Sequence, residues 1–553
     1  MRIYQLLILL LININFIQSF KCGADKIKLN PQPITLKSIN KNQNLAKANA
    51  ESTKPIAIGY DFSTLQKPSS MSTTTYNNIK SALKGVSEEF SKFLKVNHAQ
   101  ISLEGMKKTI MDYCSLDVMG ANYENFLMNN DIIIFPQFDS SLESTVIAAA
   151  TACIMETNTY HPYGGVLYIN PNMNLNNKNI NVYMKNILLH EITHILIFSP
   201  GIFGGLKLNN TINGVPCITS NNVLAKAREH FGCSSLRGVY LETQGGSGTA
   251  GSHWESRYML GDYMVSTDFP DSAISDITLA LFQDSGFYEV NYYSGGLFKF
   301  GKNEGCNFFT KKCIENYKAN FDEFCDQENE PLCSSSRTIK SSCYLVTYSS
   351  QIPSEYRYFS NSRRGGFPHA DYCPLPYEPN DAREYFPTHC QFGSSSNNYG
   401  EKLGSNSFCF MSSIVQSSSN DIDEIPVCYE IECDSTNKKI IVKIGSNSIE
   451  CPTDGGSVSA PSGLKGTIDC PAYSELCPTN NVICNDIYTC LTQYAKTDNY
   501  NYKSSAYNYE GGSTVKRDDD YDDDFGPIRR GDSSFLRTNL ALFIAIYLLL
   551  ILY

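Results

Sequence analysis

The sequence predicts an α+β protein: a layer of mixed strands and helices, followed by a disulfide-rich, mainly β C-terminal domain. Three observations predict it. Short β-branched runs alternate with helical stretches before residue 200, and one of those helices is apolar but for a histidine pair and its neighbours. After Gly301 the texture changes to many short runs cut by Cys, Pro, Gly and Ser. With 553 residues and 42% hydrophobic content, the chain can bury two or three cores.

Residues 1–19 have one early positive charge at Arg2, an apolar stretch from Leu6 and small Ser19 at the end, the layout of a secretory signal. Residues 20–53 are polar without periodicity and read as a pro-segment or linker. The first ordered element is "KPIAIGYDFS", where Ile56, Ile58 and Tyr60 alternate as strand residues do. A helix follows around Tyr76 to Phe93, with Ile79, Leu83, Val86 and Phe90 at spacings of three and four. "DIIIFPQF" (131–138) and "GGVLYINP" (164–171) are expected strands, and "STVIAAATACIM" between them reads as either strand or helix. The expected division is 54–200 for a first subdomain with the histidine helix and 201–300 for a second. A Cys-rich domain at 301–495 is followed by an acidic disordered linker at 496–530.

Beyond Gly301, "KIIVKIG" and "SCYLVTYSS" typify the expected β domain, and no internal repeat of fixed period is present. Twenty cysteines fit the oxidising compartment that a secretory signal implies. The sequon Asn209-Asn210-Thr211 makes Asn209 a glycosylation acceptor on an expected exposed loop. A net charge of −11 argues against nucleic-acid binding, and part of it sits in "KRDDDYDDDF", a self-repelling tether. Residues 531–553 then place small residues, a short polar spacer and fourteen non-polar residues from Leu540 to Tyr553. That run is short for a spanning helix of about 20 residues, and reads as a GPI-attachment signal, with a tail-anchoring transmembrane helix as the alternative. The expected membrane partner is thus reached through a C-terminal lipid anchor or tail helix.

Chemistry concentrates in "NILLHEITHILIFSP" (186–200). From Val182 to Phe198, Met184, Ile187, Leu188, Ile192, Ile195 and Leu196 recur at near-helical spacing. His190 and His194 then stand one turn apart on one face, able to place two imidazole nitrogens on one metal. Glu191, beside the first, can reach a metal-bound water instead of the metal. A catalytic zinc takes three protein ligands and leaves a fourth position to water. The histidines left to supply the third are His98, His161, His230, His253, His369 and His389. A compact continuation is absent: Ile197 stands where a helix-ending glycine would sit, and Pro200 where a third histidine would.

The best candidate is His253, in "GGSGTAGSHWESRYMLGDYM", reached after 58 intervening residues that contain the sequon. This separated histidine, the block "GTAGSHWESR" and the following Met264 together resemble the leishmanolysin family of surface zinc metalloproteases, a metzincin branch. Cysteine-centred blocks "FGKNEGCNF", "DYCPLPYE", "NSFCFMSS" and "CYEIEC" extend the resemblance from about Lys54 to Cys490. The resemblance implies a metzincin-like catalytic domain and one Zn2+ per chain held by His190, His194 and His253. It also implies Glu191 as general base, Met264 as the methionine of the turn beneath the metal, and protein or peptide substrates cleaved at the cell surface.

Two departures bear on activity. Ile197 replaces the family's helix-ending glycine, so the helix exit falls to Ser199-Pro200-Gly201, proline stopping the helix and glycine tolerating left-handed geometry. The family also carries a pro-segment cysteine thought to cap the zinc. Cys22 in "KCGAD" sits in the corresponding place without the flanking histidines, and reads equally as an inhibitory thiolate or as a structural cysteine. The expected function is a zinc endopeptidase at the cell surface, with a role in cell adhesion. The alternative is a catalytically silent adhesion protein on a metzincin scaffold, which Ile197 favours and the complete His, Glu and Met set opposes. No Gly-x-Ser-x-Gly elbow or P-loop is present.

Overall fold

A computed structural model describes residues 34–38, 53–144, 146–172, 180–246, 249–267, 272–292, 298–377, 389–391, 400–419, 423–477 and 506–517. The expected signal at 1–19, Cys22 and the expected C-terminal signal at 531–553 lie outside these residues, as do most of the expected pro-segment and acidic linker.

Four strands form the sheet that carries the site. They are β1 (Ile58–Tyr60), β2 (Ile132–Phe138), β3 (Ala148–Met155) and β4 (Pro162–Ile169), in the order β1-β2-β4-β3. β1, β2 and β4 run parallel, while edge strand β3 pairs antiparallel with β4. The alternation of side chains explains why these runs are almost wholly apolar. Ile132 and Ile134 enter one core with Leu167, whereas Ile133 and Phe135 enter a second with Val166 on the opposite face. The ambiguous 144–155 run resolves as strand β3, whose Ala148, Ala150 and Ala152 present only methyl groups to the first core.

Two helices cover that first face, α1 (Thr73–Phe93) and α2 (Ile180–Leu196), which carries His190 and His194. Ser72 caps α1, its hydroxyl accepting from the Thr75 N–H at 3.0 Å, and Ile79, Leu83, Val86 and Phe90 are buried as their spacing predicts. α2 lies so close on the sheet that a Cβ at Gly165 of β4 would come within 2.4 Å of Ile195 Cγ2. Any side chain there would push the helix away. The stretch Met184–Leu206 has the length and hydropathy of a membrane span, yet most of it is buried against this sheet.

After α2 the chain forms α3 (Pro200–Leu206), a hairpin of β5 (Asn209–Ile212) and β6 (Val215–Ile218), α4 (Asn221–Phe231), β7 (Val239–Tyr240) and α5 (Asp276–Asp284). Asn209 is exposed as expected, but on edge strand β5 and not on a loop, because the sequon pairs with β6. Cys217 of β6 is buried and unpaired among the described cysteines.

The change of texture at Gly301 does not begin a new core. Phe300, Phe308, Phe324, Phe367 and Leu375 pack into the same cluster as α1 and α2. A core belonging to the C-terminal part alone begins with β8 (Ser407–Ser412) and continues through β9 (Ile425–Asp434), β10 (Lys439–Ile444), β11 (Asn447–Glu450), β12 (Gly456–Ser459) and β13 (Thr467–Cys470). These six form an antiparallel sheet in the order β11-β10-β9-β8-β13-β12. Disulfides Cys333–Cys409, Cys390–Cys428, Cys433–Cys477 and Cys451–Cys470 staple this part, and Cys233–Cys306, Cys313–Cys373 and Cys325–Cys343 staple the stretch before it. Cys114–Cys153 ties β3 to the second core.

Part of the expected linker is docked. Tyr509 is buried in the second core, because its ring supplies apolar area that the polar residues around it conceal.

Glu323 gives the fold a pH dependence. Its Oε1 accepts from the Gly301 N–H at 2.8 Å, while buried Oε2 has no hydrogen-bond partner among the described residues, and burial pushes the carboxyl up to about 8. The folded state holds this proton where the unfolded chain, titrating near 4.5, has lost it. The contribution is therefore fully present below pH 4.5 and declines as pH rises through about 8. Glu323→Gln is expected to leave the melting temperature nearly unchanged at pH 5 and to raise it at pH 9. Parallel loss in both proteins between those values would refute the assignment.

Candidate metal centre

The histidine pair is where helical spacing predicts, and the third histidine arrives from a different part of the chain. His190 and His194 project from the C-terminal half of α2, with Nε2 atoms 3.0 Å apart. His253 brings its Nε2 to 3.2 Å from that of His190, and the ligand atoms of all three lie within 4.8 Å of one another. Among the described residues this is the one cluster of three or more His, Cys, Asp or Glu side chains able to hold a metal. Metal–nitrogen bonds of about 2.0–2.1 Å in a tetrahedron require nitrogens about 3.3 Å apart.

The protonation pattern fits the same purpose. Each Nδ1 faces a backbone carbonyl and donates to it: His190 to Tyr263 O at 2.6 Å, His194 to Phe198 O at 2.8 Å, and His253 to Thr249 O at 3.0 Å. With the proton held at Nδ1, the Nε2 lone pairs face one another, an arrangement that is repulsive unless a cation lies between them. Burial lowers the pKa of His190 to about 4, and burial with His190 as neighbour lowers that of His194 to about 3. Burial likewise holds His253 well below the ordinary value. All three are neutral imidazoles at pH 7, the form that binds metal.

Backbone partners fix the loop that delivers His253. The Glu242 N–H donates to His253 O at 2.9 Å, and the Gly251 N–H returns a bond to Glu242 O at 2.8 Å. Trp254 is wholly buried, with its backbone N–H on Met264 O at 3.0 Å and its indole N–H on Thr278 Oγ1 at 2.8 Å. Met264 is likewise buried, and its N–H donates to Asp262 Oδ1 at 2.8 Å. Tyr263, between Asp262 and Met264, bonds α2 twice: its carbonyl accepts from the His190 Nδ1–H and its hydroxyl meets Thr193 Oγ1 at 2.9 Å. Glu191 is 1% exposed on the same turn of α2 as the two histidines.

The exit from α2 differs from the expectation built on Ser199-Pro200-Gly201. Ile197 and Phe198 N–H groups both donate to Thr193 O at 2.9 Å, and the Ser199 N–H donates to Ile197 O at 2.8 Å. Pro200 is the first residue of α3, and Gly201 lies inside that helix without a positive φ. Ile197 is not left-handed either and is fully buried, so this turn has no conformational need for glycine.

The other described histidines lie outside this cluster. His98 bonds Asp131 at 2.6 Å, His161 packs on Tyr163 and Phe287, His230 donates to Phe300 O, and His369 meets Ser266 Oγ at 3.2 Å. His389 bridges Ile339. Tyr263, Thr249 and Phe198 are the site residues that sequence reading missed. Only Phe198 left a signal, since a carbonyl four residues beyond His194 is within reach at a helix end.

Three neutral histidines converging on one point, two of them from an HExxH helix, define a metallopeptidase-type centre. The leishmanolysin family model (Peptidase_M8) matches residues 82–483, and the chain belongs to that family of zinc metalloproteases. It is 29% identical over 393 residues to a leishmanolysin homolog of Crithidia fasciculata, covering 66% of this chain and 58% of that protein. It is 30% identical over 397 residues to leishmanolysin of Leishmania chagasi, covering 67% and 63%, and 29% identical over 303 residues to a leishmanolysin-like peptidase of Drosophila melanogaster, covering 48% and 44%. The chain thus spans less than two thirds of the length of these curated relatives.

Proposed function

We propose that the protein is a zinc endopeptidase that uses Glu191 as its general base. The observation that carries this reading is the convergence of three Nε2 atoms whose Nδ1 protons are each locked on a carbonyl. His190, His194 and His253 would hold one Zn2+, with Met264 in the turn that follows the third ligand. Zinc, when bound, supplies Lewis acidity, lowering the pKa of a water towards about 7 and polarising the scissile carbonyl.

The chain's own residues do the rest. The carbonyls of Tyr263, Phe198 and Thr249 hold the imidazoles in one tautomer and orientation. Glu191 accepts the water proton and passes it to the leaving amine, and its burial excludes bulk solvent from that transfer. Among the described residues no strand pairs with the outer side of edge strand β3, beyond the Ile34 N–H on Met155 O at 2.8 Å, and that side suits an extended peptide. We further propose secretion, glycosylation at Asn209 and attachment to the cell surface through the C-terminal signal. Eight disulfides among the described residues and the exposure of Asn209 support this reading.

Purified protein is expected to hydrolyse casein, to lose that activity with 1,10-phenanthroline and to regain it with added zinc. The zinc content should be about one per chain. One zinc per chain with no hydrolysis of any protein or peptide tested would overturn the endopeptidase reading in favour of a silent scaffold.

A further inference from the structure

Residues 506–515 follow the stretch matched by the family model, and the proposed chemistry uses none of them. They nonetheless fill a built groove on the catalytic layer. β1 is an edge strand of the four-stranded sheet, and Tyr509 adds to its free side. The Tyr509 N–H donates to Tyr60 O at 2.8 Å, and its carbonyl accepts from the Phe62 N–H at 2.9 Å. Asn508 Oδ1 accepts from the Tyr60 N–H at 3.0 Å. Buried Asn130 satisfies both backbone groups of Tyr507: its Oδ1 accepts from the Tyr507 N–H at 2.8 Å, and its Nδ2 donates to Tyr507 O at 3.0 Å.

Side chains shape the groove as closely as the backbone does. A Cβ at Gly59 would stand 2.5 Å from Tyr507 O, and one at Gly120 would stand 2.7 Å from the Tyr509 ring. Both positions admit this segment only as glycine. The Tyr509 ring lies buried beside Phe126, with centroids 6.1 Å apart. Glu510 then pairs with Lys80, at 2.7 Å, and with Lys84, both on α1. Backbone pairing, an aromatic slot and a basic rim one residue further on describe a recognition site for an extended peptide.

We propose that this edge groove is a peptide-docking site for an extended aromatic–acidic segment, filled in this chain by Tyr507–Glu510, and that it fastens the C-terminal segment to the catalytic layer without a covalent cross-link. Residues 491–553 contain no cysteine, so within that stretch only the backbone joins the segment to the rest covalently. A chain cut between Cys490 and Ala506 should therefore stay in one piece.

The test uses the full chain, in mild detergent, with a site-specific protease sequence inserted after Thr497. After cleavage, the C-terminal fragment is expected to co-elute with the large fragment on gel filtration. An excess of synthetic peptide spanning Ala506–Ser513 is expected to displace it. Tyr509→Ala with Glu510→Lys leaves every groove residue intact and should release the fragment on cutting. The released large fragment should then bind the synthetic peptide at least tenfold more tightly than the same peptide carrying those two changes. Separation of the parent fragments on cutting, or equal retention in parent and variant, would overturn the proposal.

Discussion

Glu191→Gln is expected to lower kcat for a fluorogenic peptide by roughly a hundred- to ten-thousand-fold, the range that a positioned general base contributes, while the zinc content stays at that of the parent. The substitution is nearly isosteric, so a residue only 1% exposed keeps its place on the turn of α2. The amide cannot take the water proton at neutral pH, whereas the three imidazoles and the carbonyls that orient them are untouched. Zinc content and kcat must therefore separate. Activity within tenfold of the parent would remove Glu191 from the role of base. Loss of zinc alongside activity would instead make it a residue that holds the ligand helix in place.

The helices of this molecule are legible in the sequence because they repeat with a period: the core faces of α1 and α2 recur at about 3.6 residues, and the His190–His194 pair is legible for the same reason. β2 and β4 are legible instead as short β-branched or aromatic runs bounded by turn residues. His253 carries no such signal: 58 residues intervene, and only the blocks around it drew attention to it. The carbonyls of Tyr263, Phe198 and Thr249 were less legible, since every residue has one and the identity of the side chain says nothing about its use. The alanine-rich run of β3 was ambiguous because alanine suits a helix by propensity. Its pairing with β4 decides for strand. The boundary expected at Gly301 followed a change in composition, yet aromatic residues beyond it pack into the core that carries the histidine helix. Composition hides Tyr509 in the same way, a core residue set in a polar stretch.

Ile197→Gly, which places there the helix-ending glycine that the resemblance led one to expect, is expected to destabilise the protein and to bring no gain in activity. Ile197 is fully buried in the main core, beneath the turn that ends α2. Removing a buried aliphatic side chain of this size costs about 2–5 kcal/mol, and glycine adds roughly 0.5–1 kcal/mol of backbone entropy. A glycine repays that cost only where the chain needs a positive φ, and Ile197 has none. Its N–H already closes on Thr193 O, and the next carbonyl, that of Phe198, holds the Nδ1 proton of His194. Loosening this turn should therefore reach the metal. The variant is expected to melt several degrees below the parent and to lose zinc to a chelator faster, with kcat/KM no higher. A variant that melts with the parent and turns over substrate faster would show that isoleucine here impairs the site, as its departure from the family pattern first suggested.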